Sequence, residues 1–273
     1  MDYQNLLAMR DFIKGLWDKA PLLGIVLGSG LSYLQDYVTV ETILEYRDIP
    51  GHPVCTNKNH RGRYLFGRIG GMPCVVMDGR LHYFEGYSPE ECTLPERLLG
   101  LLGIKTLLLT NAVGGISFAP GEVMIVEDHI ACFVPSPLRG KNEEELGPRF
   151  PDMSDVYDPV LAKKIEARAE KEAIPARRGV FLQFPGPQFE TRAEIRMAKT
   201  LGADAVGMST AIEALASRHM GIRNVALSLI TNYACGMKEG KITDEEVIET
   251  AKKSEKTMRR IFEIAIEEIG NDR

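Results

Sequence analysis

Short apolar runs that alternate with amphipathic stretches predict an α/β protein built on a central sheet. The helix starts support that class. Ser88-Pro89-Glu90-Glu91, Thr191-x-x-Glu194, Thr210-x-x-Glu213 and Thr243-x-x-Glu246 all have capping-box spacing, each after an apolar or irregular run. No fixed-period repeat and no Ser/Gly-rich linker divides the chain, so residues 1–273 read as one domain.

In chain order, residues 3–18 have helical spacing at Leu6, Met9, Phe12, Ile13, Leu16 and Trp17. "PLLGIVL" follows as a buried strand that ends at Gly28-Ser29-Gly30. Further strands are predicted at 64–69, 73–78, 105–110, 122–126, 178–184, 204–207 and 223–231, and helices at 89–102, 159–172, 191–201, 210–220 and 244–268. Along the last helix Val247, Ala251, Met258, Ile261, Phe262, Ala265 and Ile269 form an apolar stripe, expected to pack on the core to the helix end. "LLGLLGIKTLLLTNAVGGI" is apolar but contains Lys105 and four glycines, so it reads as a helix end and a buried strand, not a membrane span.

Composition narrows the function. Apolar residues make up 44% of the chain, enough for a sizeable core. A net charge of −5 offers no broad basic field to nucleic acid or a membrane surface. An anionic ligand must therefore be held by a few placed groups. Cys55, Cys74, Cys92, Cys132 and Cys235 are odd in number and form no CxxC, which points away from a disulfide framework or zinc cluster. The N-terminal stretch has no basic region before an apolar run, so a cytoplasmic location is expected.

Several motifs carry chemistry, and each also has a plain structural reading. "VLGSGL" sets Ser29 and close-approaching amides directly after a strand, where an anion can sit, but short Gly-x-Gly turns are common. It is neither a dinucleotide fingerprint nor a P-loop. In "GRLHYFEGY", Arg80 and His82 alternate on an extended segment and can reach one anion. The competing reading is a surface ion pair between Arg80 and Glu85, with His82 capping a loop. "LLLTNAVGGI" ends a strand at Asn111, Ala112 and a Gly-Gly pair, with amides available for an anion. "FPGPQFETRAEI" puts Glu190 beside a helix cap, suited either to ring N–H groups or to the helix dipole. "GADAVGMSTAIEAL" holds Met208 and Ser209 at a strand-to-helix turn, and "SLITNYACGM" ends a strand at Asn232, whose amide both donates and accepts. His52, His60, His129 and His219 lack metal-ligand spacing, so no metal is expected. No G-x-S-x-G elbow is present, which leaves a covalent-hydrolase reading weak.

Taken in order, G-S-G, "HRGRYLFG", "GRLHYFEGY", "TNAVGG", "GPQFET", "GADAVGMST" and "SLITN" resemble the trimeric purine nucleoside phosphorylases over about residues 22–250. The resemblance implies a single-domain α/β fold with a central mixed sheet, a distorted barrel, flanked by helices. It also implies a homotrimer and reversible phosphorolysis of a purine nucleoside, with inorganic phosphate as co-substrate and no other cofactor. Carried over residue by residue, Ser29, Arg80, His82, Ser209 and the Ala112 amide would hold phosphate, and His60 would stand at the phosphate-side gate. Glu190 and Asn232 would bind the purine, with Phe189 beside it and Met208 under the ribose. Phe150 would reach the neighbouring subunit's site. The chain departs from the family on the sugar side. Phe84 and Phe181 stand where tyrosines are common, and Asp244 where a histidine is expected to meet the 5′-hydroxyl; Tyr83 or Tyr233 would have to compensate. Two rivals remain: a methylthioadenosine phosphorylase on the same scaffold, and a non-catalytic nucleoside- or anion-binding protein.

Overall fold

The structure, a computed structural model, describes residues 2–240 and 242–272. A helix, α1 (Tyr3–Leu16), opens the chain, and the Asp2 side chain caps it by accepting from the Gln4 N–H at 3.0 Å. Leu6, Met9 and Ile13 bury one face, while Leu16 stays 54% exposed. The stripe read from the sequence is therefore wider than the buried face.

Strands β1 (Leu23–Val26), β3 (Arg63–Ile69) and β4 (Met72–Asp78) appear where predicted, and an edge strand, β2 (Thr39–Glu45), appears where none was. The sequence TVETILE is mostly exposed, so no apolar run marks it. β1 lies between β4 and β5 (Thr106–Gly115), parallel to both, and β3 is antiparallel to β4 and β2. β5 is the pivot of the fold. Its first half pairs with β1, its whole length runs parallel to β9 (Arg223–Tyr233), and Gly114-Gly115 pair antiparallel with β8 (Ala205–Gly207). With β6 (Val123–Ile130) and β7 (Ala176–Gln183), the strands β5, β8, β7, β6 and β9 close into a mixed barrel, from which β1, β4, β3 and β2 extend as a sheet.

The predicted helix at 89–102 is two, α2 (Pro89–Cys92) and α3 (Leu94–Leu102). Pro95 has no N–H to continue the helical ladder, and Thr93 Oγ1 donates to the Pro89 carbonyl at 3.0 Å across the break. α4 (Pro159–Lys171), α5 (Arg192–Thr200) and α6 (Ala211–His219) fall where expected. The predicted last helix divides into α7 (Asp244–Lys253) and α8 (Glu255–Asn271). The core stripe holds on α8, where Met258, Ile261, Phe262, Ala265 and Ile269 are buried. Upstream, on α7, Ala251 is buried in the same core and also borders a cleft, whose lining Val247 and Ile248 join.

Ser88 and Thr191 form complete capping boxes with Glu91 and Glu194. Thr210 does not. Its φ is +80°, its side chain makes no cap, and Glu213 turns to another partner. For the fourth box, the Glu246 side chain lies outside the described residues. No described helix is long and apolar enough to cross a membrane.

Candidate active site

A cleft of about 880 Å³ opens where β1, β4, β8 and β9 end and β5 passes into the barrel. Close backbone packing brings the loops together. A Cβ on Gly28 would lie 2.6 Å from Asn111 Cα, so only glycine lets the loop after β1 rest on β5. The Gly28 N–H donates to Thr110 Oγ1 at 3.1 Å, and that hydroxyl donates to the Val26 carbonyl at 2.9 Å. Ser29 is thereby carried to the cleft wall.

One end of the cleft is polar. Arg80 is 1% exposed, and its Nη1 donates to the Thr110 carbonyl at 3.0 Å and to Ser209 Oγ at 3.1 Å. Its counter-ion is Glu213, with Oε1 3.0 Å from Nε. The surface ion pair between Arg80 and Glu85 is not formed. Glu85 belongs to His82, accepting from its backbone N–H at 2.8 Å and contacting Nδ1 at 2.9 Å. The other Glu85 oxygen accepts from the Thr56 N–H and hydroxyl, each at 2.6 Å. Burial pushes the Glu85 carboxyl upward, but these bonds, from His82 first, outweigh it and hold it at about 2. A carboxylate on Nδ1 puts the ring hydrogen there and leaves Nε2 for a ligand.

His60 stands just behind this wall. Its Nε2 is 3.2 Å from Ser29 Oγ, and its ring centroid is 5.0 Å from that of His82. Burial, with the nearby His82 and Arg80, pushes it down to about 3, so it is neutral at physiological pH. Asn111 Nδ2 donates to Thr210 Oγ1 at 2.9 Å, which anchors the unusual Thr210 backbone and hence Ser209 beside Arg80. Ala112 lines the same wall from β5.

The cleft also holds Glu190, Phe189 and Asn232. Glu190 is 7% exposed, and burial, reinforced by Glu194, raises its carboxyl above the ordinary value. Asn232 is set by a bulge: Val113 pairs with Ile230 but Gly114 with Asn232, leaving Thr231 as the extra residue. Thr231 Oγ1 donates to Asn232 Oδ1 at 3.0 Å, and Asn232 Nδ2 donates to the Tyr233 carbonyl at 3.0 Å. A Cβ on Gly114 would press to 3.3 Å from that Nδ2.

Part of the lining is apolar. Met208 belongs to it, and Phe84 stacks on His82 with ring centroids 4.6 Å apart. Tyr33, Val247, Ile248 and Ala251 complete the rim. Phe181 does not reach the cleft. It is fully buried, with its ring 3.1 Å from where a Cβ on Gly207 would sit. Tyr83 packs beside Cys92, Val134 and Ile212 instead of lining the cleft, and Tyr233 is not among the lining residues either. The Asp244 side chain lies outside the described residues. Phe150 is 89% exposed and is absent from its own chain's cleft.

The remaining histidines serve the fold. His52 meets Tyr64 Oη at 2.8 Å, His129 meets Tyr157 Oη at 2.9 Å, and His219 meets the Pro148 carbonyl at 3.0 Å. Sequence reasoning missed Glu213 and Tyr33 as parts of the site, and it named Asn111 for its backbone amide, not for the side chain that holds Thr210. Only Glu213 had a signal, and capping-box spacing gave it another use.

The sequence profile of the Phosphorylase superfamily matches residues 22–267. Purine nucleoside phosphorylase 1 of Geobacillus stearothermophilus is 43% identical over 244 residues, 89% of each chain. The mouse purine nucleoside phosphorylase is 40% identical over 258 residues, 91% of this chain and 89% of the mouse chain. Among solved structures, a Schistosoma purine nucleoside phosphorylase in complex with hypoxanthine superposes with a TM-score of 0.91 at 37% identity, covering 97% of both chains. A family match over residues 22–267 and identity of this extent make the chain a member of the Phosphorylase superfamily, within its purine nucleoside phosphorylases.

Proposed function

We propose that the protein catalyses reversible phosphorolysis of purine ribo- and deoxyribonucleosides such as inosine and guanosine, yielding the free purine and the pentose 1-phosphate, a purine-salvage reaction. One observation carries this reading. Arg80, His82, Ser29 and Ser209 line a single cleft together with Glu190 and Asn232. One cleft that presents both sets suits a nucleoside laid between a phosphate and a purine site.

In the reaction, a phosphate oxygen forms a bond to the anomeric carbon as the bond to the purine nitrogen breaks. The electron pair leaves with the purine, which takes up a proton. Arg80, His82, the two serine hydroxyls and the Ala112 amide hold the phosphate, whose charge faces the developing oxocarbenium ion. Asn232 donates to the purine at N7 or O6, more strongly as negative charge gathers there, which is stabilisation specific to the transition state. Glu190 accepts from the purine N1–H, a hydrogen that 6-oxopurines have and 6-aminopurines lack. Holding both substrates in line supplies much of the remaining acceleration.

We assign no metal or organic cofactor to this chemistry; inorganic phosphate is the co-substrate. Residues 1–273 act as one catalytic unit, and we propose a homotrimer in which Phe150 covers the neighbouring subunit's site. The 89% exposure of this large aromatic in the isolated chain supports that arrangement. Five free cysteines, Cys132 among them exposed, fit a cytoplasmic location.

The apolar rim of Phe84, Tyr33, Val247, Ile248 and Ala251 favours a second reading, in which the preferred nucleoside carries an apolar 5′ group, as methylthioadenosine does. A coupled assay with inosine, guanosine, adenosine and methylthioadenosine, with and without phosphate, separates these readings. Phosphate-dependent turnover of inosine and guanosine is the expected outcome. Preference for methylthioadenosine overturns the 6-oxopurine assignment, and nucleoside binding without turnover would make the protein a binding module.

A further inference from the structure

Behind Arg80 lies a buried acidic pair that phosphorolysis as written does not use. Glu96, on α3, is 0% exposed in a helix whose other buried residues are mostly leucines. Glu213, on α6, is 1% exposed and contacts Arg80 Nε at 3.0 Å. The two carboxyl groups lie within side-chain hydrogen-bonding reach of each other. All four carboxyl oxygens are sealed from solvent and none accepts an aligned hydrogen bond among the described residues; Arg80 Nε, though 3.0 Å from Glu213 Oε1, pairs with it by charge alone. A buried carboxylate without a donor is costly, and two facing each other repel. One proton on the pair removes both problems, because it gives one carboxyl group an O–H to donate to the other.

We infer that Glu96 and Glu213 hold one proton between them, and that this acid–carboxylate pair is the positioning unit that fixes Arg80 for phosphate. The inference rests on the phosphorylase reading for its function, though not for its chemistry.

The charges close on this arrangement. Arg80 contributes +1 and the pair −1, so the buried cluster is neutral, whereas two ionised carboxylates would leave it a net anion beneath an anion-binding wall. The proton sits on Glu96, since Glu213 is the member that touches the guanidinium. Burial, with the Glu213 charge next, raises the Glu96 carboxyl well above the usual carboxylate range. The other titratable groups around the pair leave this unchanged. The Cys92 thiol, on α2, is pushed upward by burial and by both glutamates, and so stays neutral. The Tyr46 and Tyr64 phenols near Glu96, and the Tyr157 phenol near Glu213, are likewise raised by burial. Arg97 is the second cation nearby. Its Nη1 engages His219 Nδ1 at 3.3 Å, and no salt bridge joins it to Glu96 among the described residues. With Glu213 anchored by the Glu96 O–H, Arg80 is held from its Nε side while Nη1 reaches Ser209 at the cleft.

Two measurements test this on the intact protein. Infrared difference spectra of wild type against Glu96→Gln should show the carbonyl stretch of a protonated, buried carboxylic acid from neutral to alkaline pH. Absence of that band overturns the shared proton. Steady-state kinetics then separate positioning from packing. Glu96→Gln keeps a neutral donor to Glu213, so the KM for phosphate should stay within about 2-fold of wild type. Glu96→Leu removes the donor and leaves Glu213 unsatisfied, and the KM for phosphate should rise about 10-fold or more while the KM for inosine holds. Equal effects of Gln and Leu, or parallel shifts in both KM values, overturn the positioning role. If Glu96→Leu does not fold, the infrared band and the Gln variant decide. If wild type turns over no nucleoside with phosphate, the phosphorylase reading fails, whereas calorimetric titration with inorganic phosphate still tests Arg80 positioning in the same variants.

Discussion

The two halves of the cleft are built on opposite physical plans. At the polar end every side chain that would meet phosphate is held by a second group, mostly on a distant element: Arg80 by Glu213 and Thr110, His82 by Glu85, Ser29 by His60, Ser209 by Arg80. At the apolar rim, proposed to face the sugar, Phe84, Val247, Ile248 and Ala251 offer shape and apolar surface, with no hydroxyl at position 84. A charge must arrive at a fixed point, and buried ion pairs and backbone carbonyls can fix it. An apolar wall restrains its ligand by volume and tolerates change more readily. The polar end should therefore be brittle to substitution and the rim tunable.

Arg80→Met is the harshest test. It removes the central cation and strands Glu213 in the core, so kcat/KM for phosphate should fall by about 10²–10³-fold, with a lower melting temperature. A loss under about 10-fold would show that the polar end is not over-determined. At the base end, Glu190→Ala and Asn232→Ala should each lower kcat/KM for inosine by about 10²-fold, while the control His219→Ala stays within about 3-fold. Equal losses in all three would dissolve the base assignment. The rim should respond gently. Phe84→Tyr restores a hydroxyl, and the preference for inosine over 5′-deoxyinosine should rise by about 3–10-fold, read as a ratio of kcat/KM values. An unchanged ratio would place Phe84 away from the sugar.

The smallest effect is an acid weakening of the polar end. Burial holds His60 neutral down to about 3, and holds His52 and His129 down to about 4. The unfolded chain binds these protons near pH 6.5, so stability is complete above that value and is lost as pH falls toward 4. Glu85, held at about 2, acts in the same direction below its unfolded value near 4.3. Urea midpoints should fall between about pH 7 and about pH 5, and His60→Gln should lessen the slope. A flat midpoint over that range would contradict the buried neutral histidines.

Much of this was legible along the chain. Alternating apolar runs announced the α/β class, and Ser88 and Thr191 marked true helix starts, because caps and strand periods depend on neighbours a few residues away. The ordered motifs grouped Ser29, Arg80, His82, Glu190, Met208, Ser209 and Asn232 as site candidates, and all seven line one cleft in the fold. β2 escaped notice because an exposed edge strand has no apolar alternation, and the break at Thr93 because a proline at a second helical position resembles one within a helix.

Tertiary structure alone decided which partner each charged group took. Glu213 had the spacing of a cap, yet the backbone of Thr210 turned left-handed and gave the carboxylate to Arg80. Glu85 was close enough in sequence to pair with Arg80 and instead took His82 and Thr56. Phe181 lies on β7, which leads to the cleft-lining loop of Pro187, Phe189 and Glu190, but barrel closure turned its ring into the core. Local sequence sets backbone preference over a few residues, while burial and counter-ions are settled by contacts between elements far apart in the chain. The sequence by itself thus determined the class of fold and the chemical groups of the site, and only the closed barrel decided how those groups are paired.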